Sequence, residues 1–138
     1  MKNLGSCLCK QVTFEVEKFQ GLIGHCHCKM CQKFHGAAFS TFAETKKKNL
    51  HWLSGEKSLK EYCAENGSIR TFCISCGSSL LFESNYNRND GTIEIALAAF
   101  DSLENLYIDA HIYTESKADW FDINDNLPQY CQYRTDKN

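Results

Sequence analysis

The sequence predicts a mainly β protein with short helical turns, on three observations. Short stretches alternate apolar and polar side chains, or are rich in β-branched and aromatic residues. No apolar spacing at three and four residues runs long enough for an extended amphipathic helix. A polar turn with an Asp-Gly pair, Asn87-Arg-Asn-Asp-Gly91, separates two of the stretches.

Residues 11–18 place Val12, Phe14 and Val16 on one face and Thr13, Glu15 and Glu17 on the other, the pattern of a half-buried strand. Residues 28–35 form the expected helical turn. Residues 37–44, 69–72, 79–83, 92–97 and 110–113 are short, β-branched or aromatic, and read as strands. Between two of these, Asn87-Arg-Asn-Asp-Gly91 carries an Asp-Gly pair, a hairpin signal. Lys46-Lys-Lys48 sits in polar surroundings and reads as a solvated turn.

The chain has 138 residues, 43% hydrophobic and 23% charged. This size and ordinary composition, without linker or low-complexity tract, predict one domain over residues 1–138 and argue against disorder or a coiled coil. Fifteen Lys+Arg against seventeen Asp+Glu give a net charge of -2, which lends no support to a nucleic-acid partner. No apolar run approaches the ~20 residues that span a bilayer. The N-terminus lacks the apolar core of a signal peptide, so the expected location is the cytoplasm.

Nine cysteines set the chemistry. An odd number fits complete disulfide pairing poorly, and clustered thiols in a reducing compartment point to metal. Seven fall into three groups: Cys7 and Cys9 as C-x-C, Cys26, Cys28 and Cys31 as C-x-C-x2-C, and Cys73 and Cys76 as C-x2-C. In an extended chain residues i and i+2 share a side, so a C-x-C pair converges on one ion and the residue between, Leu8 or His27, points away. C-x2-C reaches the same separation around a tight turn, which Gly77 after Cys76 favours. Gly5-Ser-Cys-Leu-Cys-Lys10 and Gly24-His-Cys-His-Cys-Lys29 share G-x-C-x-C-K, suggesting two similarly built knuckles.

Two pairs make a closed structural site from Cys7, Cys9, Cys73 and Cys76. Cys26, Cys28 and Cys31 then hold a second ion with one position open, the pattern of catalytic zinc. Two Zn2+ per chain follow. Spacing alone leaves two rival groupings: Cys73 and Cys76 completing a site with Cys26 and Cys28, or the trio closed by His25, His27 or His35. Three thiolates on Zn2+ give a net charge of about -1, which suits thiol chemistry better than the activation of water. Cys63 and Cys131 have no cysteine neighbour and read as core thiols, the latter near a fraying C-terminus. His51 and His111 take ordinary structural roles, and Trp120 reads as a core or lid residue.

Gly5-Ser-Cys7-Leu-Cys9 followed by Val12 and Phe14 resembles the N-terminal motif of the glutathione-dependent formaldehyde-activating family, a group that also takes in centromere protein V. The resemblance continues through Cys26-His-Cys28-Lys-Met-Cys31 with Gly36-Ala37-Ala38, and through Arg70-Thr-Phe72-Cys73-Ile-Ser-Cys76-Gly77-Ser78. It ends with His111-Ile112-Tyr113, Lys117, Trp120 and Leu127-Pro128. Leu8 stands where His is frequent in that family, and Lys10 where Gly is common. The resemblance implies a β-tent, zinc-ribbon-like fold with Cys7, Cys9, Cys73 and Cys76 on structural zinc and Cys26, Cys28 and Cys31 on catalytic zinc. It further implies a cytoplasmic carbon–sulfur lyase that adds glutathione to formaldehyde, giving S-(hydroxymethyl)glutathione. The charge balance and the short apolar runs read as no nucleic-acid and no membrane partner. Lys29, Lys33 and Arg70 are candidates for the tripeptide's carboxylates. Two other functions fit the same motifs: a lyase or hydrolase of another small carbonyl or imine compound, and a non-catalytic glutathione carrier or interaction module.

Overall fold

The computed structural model describes residues 3–134, and they are mainly β. They form two compact units. The first takes in the chain up to Gly21 and Phe42–Leu106; the second takes in Leu22–Thr41 and the chain from Tyr107 onward.

In the first unit, β1 (Asn3–Ser6), β2 (Thr13–Val16), β5 (Leu50–Ser54) and β10 (Phe100–Ser102) form one antiparallel sheet in the order β10-β1-β2-β5. The second sheet of this unit runs from the later part of β4 (Ser40–Lys46) through β9 (Thr92–Ala96), β8 (Ser79–Glu83) and β7 (Ile69–Cys73) to β6 (Leu59–Cys63), every pair antiparallel. The alternation of residues 11–18 is realised: Val12, Phe14 and Val16 are buried and pack with Leu80, Leu81, Ile93 and Ile95. Phe14 meets Trp52 and Phe100 edge to face, with ring centroids 5.7 and 5.3 Å apart. Gly5 pairs directly with Phe14 across the β1–β2 ladder, and its missing Cβ is the space the Phe14 ring fills.

In the second unit, β3 (Ile23–Cys26) pairs in parallel with β11 (Ile108–Ile112) and antiparallel with the start of β4. Helix α1 (Lys29–His35) is capped by Cys28, whose sulfur accepts from the Cys31 amide, and ends at Gly36 in the left-handed conformation. The chain after Pro128 returns along β11: the His111 amide donates to Pro128 O, the Tyr130 amide to His111 O and the Tyr113 amide to Gln132 O. Arg134 then forms a two-point ion pair with Asp109.

The strands read at 69–72, 79–83, 92–97 and 110–113 match β7, β8, β9 and β11 within two residues. The hairpin turn at Asn87–Gly91 is a correction. Those residues belong to α2 (Asn85–Asp90), although β8 and β9 do pair antiparallel on either side of it. A reciprocal cap decides this: Ser84 Oγ accepts from the Asn87 amide and the Asn87 side chain accepts from the Ser84 amide. Gly91, at φ +70°, terminates the helix rather than forming a two-residue turn. Cys63 and Cys131 are exposed, not core thiols. Cys63 ends β6, an edge strand with little cover, and Cys131 lies in the hydrogen-bonded return along β11 rather than in a frayed end. Trp120 is 73% exposed and is no core residue. Among the described residues no helix is long and apolar enough to cross a membrane.

Candidate metal centres

Cys7, Cys9, Cys73 and Cys76 come together in the first unit, all four sulfurs within 4.8 Å of one another. Cys7 leaves β1, turns through a Lys10 N–H to Cys7 O bond of 3.0 Å, and Lys10 takes up φ +67°. That left-handed position favours glycine. Leu8 points away from the sulfurs and is 80% exposed. On the other side β7 ends at Cys73, and the Gly77 amide closes the turn onto Cys73 O at 2.7 Å, with Gly77 at φ +80°. Amides point at the sulfurs, Val12 N to Cys7 Sγ at 3.3 Å among them. Sulfur–sulfur separations of 3.6 Å for Cys7–Cys9 and 3.9 Å for Cys9–Cys73 match the ~3.8 Å edge of a tetrahedral Zn–S site. The Ser78 hydroxyl, 3.3 Å from Cys76 Sγ, brings that thiol down to about 5, whereas Cys9, against the lowering pull of a backbone hydrogen bond at Gln11, is pushed up to about 11 by desolvation and then by Cys7, Cys76 and Cys73.

Cys26, Cys28 and Cys31 converge in the second unit, again within 4.8 Å, and no histidine or carboxylate among the described residues joins them at that distance. Cys26 ends β3, Cys28 caps α1 and Cys31 occupies its first turn, so strand, cap and helix each supply one sulfur. Cys31 is buried, and Cys26 and Cys28 are half-buried. Cys73 and Cys76 therefore stand with Cys7 and Cys9, not with the trio. Both groups suit a soft divalent cation. In the trio, sulfurs this close resist joint ionisation: Cys28, then Cys31, push the Cys26 thiol far up. A bound cation removes that penalty by neutralising the thiolates.

The family model described as glutathione-dependent formaldehyde-activating enzyme matches residues 2–116. The chain belongs to this family. An uncharacterised lyase of Schizosaccharomyces pombe is 28% identical over 119 residues, covering 86% of this chain and 83% of the relative. A crystal structure of a Rhodobacter sphaeroides protein shares the fold with a TM-score of 0.61 at 22% identity, over 73% of this chain and 90% of that one.

The second unit of this formaldehyde-activating family member holds further polar groups beside the trio. His27, between Cys26 and Cys28, is fully buried; its amide donates to Ile112 O at 2.9 Å and its carbonyl accepts from Gln32 Nε2 at 2.7 Å. Its Nε2 lies 2.8 Å from His111 Nδ1, and His111 Nε2 lies 3.0 Å from Asp125 Oδ2. Burial, reinforced by His111 and His25, drives the His27 ring down to about 4, so it is neutral at physiological pH. Tyr113, directly after β11, takes φ +56°, a costly conformation for an aromatic residue. Burial, then the nearby Cys26 and Cys28, push its phenol up, keeping it a hydroxyl donor. The sequence singled out His111 only as a structural histidine and gave Asp125 no role. Nothing in the spacing of residues 27, 111 and 125 signals their meeting. Arg70 lies in the first unit, buried over the Phe82 ring, while Lys29 and Lys33 are exposed on α1.

Proposed function

We propose that this chain is a zinc-dependent carbon–sulfur lyase that joins a thiol to a small aldehyde at the Cys26–Cys28–Cys31 centre. Glutathione and formaldehyde are the pair the family's name points to, and the relative named as a lyase supports the reaction class. One observation carries the reading: three sulfurs converge with no fourth protein donor in the group, against four in the other centre. Three protein ligands and an open position mark catalytic zinc; four mark structural zinc. Zinc in the trio supplies a position where a substrate thiol is held as its thiolate at neutral pH.

The chain's own residues then orient and complete the addition. The thiolate sulfur attacks the carbonyl carbon, a C–S bond forms, and the carbonyl π pair becomes an alkoxide that takes up the proton the thiol released. Tyr113, in the same unit and held as a hydroxyl by burial and the nearby Cys26 and Cys28, suits the passing of that proton: it would give its own to the oxygen and recover the one the thiol released. Lys29 and Lys33, exposed on the helix that carries Cys31, suit the carboxylates of the tripeptide; Arg70, buried over the Phe82 ring, does not. Nine free thiols suit a reducing cytoplasm.

The test is zinc stoichiometry on protein purified under reducing conditions, followed by X-ray absorption during a glutathione titration. Two ions per chain are expected, one gaining a sulfur neighbour as glutathione is added. Formation of S-(hydroxymethyl)glutathione, followed by NMR, should exceed the uncatalysed rate and vanish in Cys28→Ser. Unchanged coordination together with an uncatalysed rate refutes the proposal.

A further inference from the structure

Asp125, His111 and His27 form a chain of hydrogen bonds that runs from a half-exposed carboxylate to a fully buried ring. An ionised carboxylate only accepts, so His111 Nε2 carries the proton on that side. In its neutral form His111 has one donor and one acceptor, so its Nδ1 then accepts, and His27 Nε2 is the donor at 2.8 Å. His27 Nδ1 is left as a bare acceptor. It is buried, and no hydrogen-bond partner faces it among the described residues. The orientation of every proton in the chain is thus dictated from Asp125.

The same ring belongs to the peptide that links two of the trio's sulfurs. His27 is held at its amide by Ile112, at its carbonyl by Gln32, and at its ring by His111; Gln32 also donates to Ser116 O at 3.0 Å. His25 and Phe39 close around the rings, with centroids 5.0 Å from His111 and 5.1 Å from His27 respectively. Only the ring contact depends on a tautomer, and Asp125 sets it.

We infer that Asp125 and His111 are positioning residues for the three-cysteine centre: their relay locks His27 in the Nε2–H tautomer and fixes the Cys26–His27–Cys28 peptide in the geometry that converges its sulfurs. The inference rests on the reading of the trio as a metal centre. Its leverage comes from Asp125→Ala set against Asp125→Asn. Asp125 Oδ1 accepts from the Leu127 amide at 3.0 Å and lies 3.2 Å from His111 Nε2, so an asparagine that keeps its oxygen there still offers that ring an acceptor, whereas alanine removes it. In molecules where the His111 proton then moves to Nδ1, His27 must carry its own on Nδ1, buried and without an acceptor, and its ring shifts, dragging the peptide between the two sulfurs.

The experiment compares wild type, Asp125→Asn and Asp125→Ala, each loaded with cobalt(II) as a spectroscopic substitute, with ring tautomers read by long-range 15N–1H NMR at pH 8 on the zinc-loaded proteins. Wild type is expected to take up two cobalt ions and show both rings as Nε2–H. Asp125→Asn is expected to keep both as Nε2–H, with cobalt bound as in wild type. Asp125→Ala is expected to show mixed tautomers, with an altered d–d spectrum at one centre only and about tenfold weaker cobalt binding there, the lower end of what an outer partner is worth. Wild-type tautomers in Asp125→Ala, mixed tautomers with an unchanged spectrum and affinity, or a loss in Asp125→Asn as large as in Asp125→Ala overturn the positioning role. A wild-type chain that binds one cobalt ion, at the quartet alone, overturns the metal reading of the trio and the inference with it.

Discussion

Replacing Cys73 with Ser should abolish folding, whereas replacing Cys28 with Ser should remove one metal ion and little else. Cys73 is fully buried and packs in the first unit's core with Val12, Phe14 and Leu80. A structural zinc supplies ~10–16 kcal/mol of apparent binding free energy, most of it expressed as folding stability. The whole stability of a domain is ~5–15 kcal/mol. Loss of a quartet ligand, with about 1–3 kcal/mol more for a serine hydroxyl left without a partner in the core, exceeds what the unit has to lose. Cys28 differs at every step. It is half-buried, its group has three sulfurs, and it caps α1 by accepting from the Cys31 amide at 3.3 Å. Serine is itself a favoured cap, so the helix survives the exchange. The assay is a urea titration followed by near-UV circular dichroism, with bound metal counted by mass spectrometry. Cys28→Ser should unfold cooperatively with one ion bound, and Cys73→Ser should show no transition. A Cys73→Ser chain that unfolds cooperatively within about 3 kcal/mol of wild type would refute the division of the cysteines into a folding clip and a reaction centre.

Gly5→Ala places a methyl group inside the Phe14 ring and should cost about 1–3 kcal/mol by overpacking. Combining it with Phe14→Leu should recover at least about 0.5 kcal/mol relative to the sum of the single variants; additivity within that margin in a denaturant double-mutant cycle would contradict the contact. The His27 ring is held neutral to about 4, below its ordinary value near 6.5. The unfolded chain therefore binds a proton that the fold excludes, so this contribution is fully present above about pH 6.5 and is lost as pH falls toward 4. An NMR titration of that ring with a midpoint near 6.5 would be inconsistent with its burial.

The parts of the fold that local chemistry dictates were legible in the sequence. The alternation of Val12, Phe14 and Val16 marks a face that must be buried, and the β-branched runs of β7, β8 and β9 need no partner to be recognised. The strands that escaped reading owe their state to neighbours. β1, with Asn3, Leu4, Gly5 and Ser6, has almost no strand propensity and exists because β2 and β10 pair with it on both sides. β6 is an edge strand whose pattern is mostly exposed. The Asp-Gly signal misled because Ser84, three residues before Asn87, offered a cap that favours helix over turn. The seven clustered cysteines declared themselves by spacing, since sulfurs two or three residues apart have few other uses. Asp125, His111 and His27 did not, because their relay joins residues 84 and 14 positions apart through tertiary packing alone.

The separation in sequence also orders the two centres energetically. Cys9 and Cys73 are 64 positions apart, so the quartet closes a long loop, whereas the trio lies within the six residues from Cys26 to Cys31. By the logarithmic cost of loop closure, joining ends 64 rather than five residues apart costs about 2 kcal/mol more. The fold must meet that cost before a metal can bind the quartet, and a metal bound there would in turn hold the loop closed. The trio's sulfurs are instead presented by one strand end and one helix cap, with protein groups fixing the peptide between them, so its metal can leave without undoing any long-range contact. A fourth sulfur also makes the quartet the tighter chelate. A graded chelator titration should therefore remove the trio's ion first, with near-UV dichroism unchanged, and remove the second ion only as the first unit unfolds. Simultaneous loss of both ions with the tertiary signal would mean that the trio carries fold stability as well, and would place the two centres in one cooperative structure.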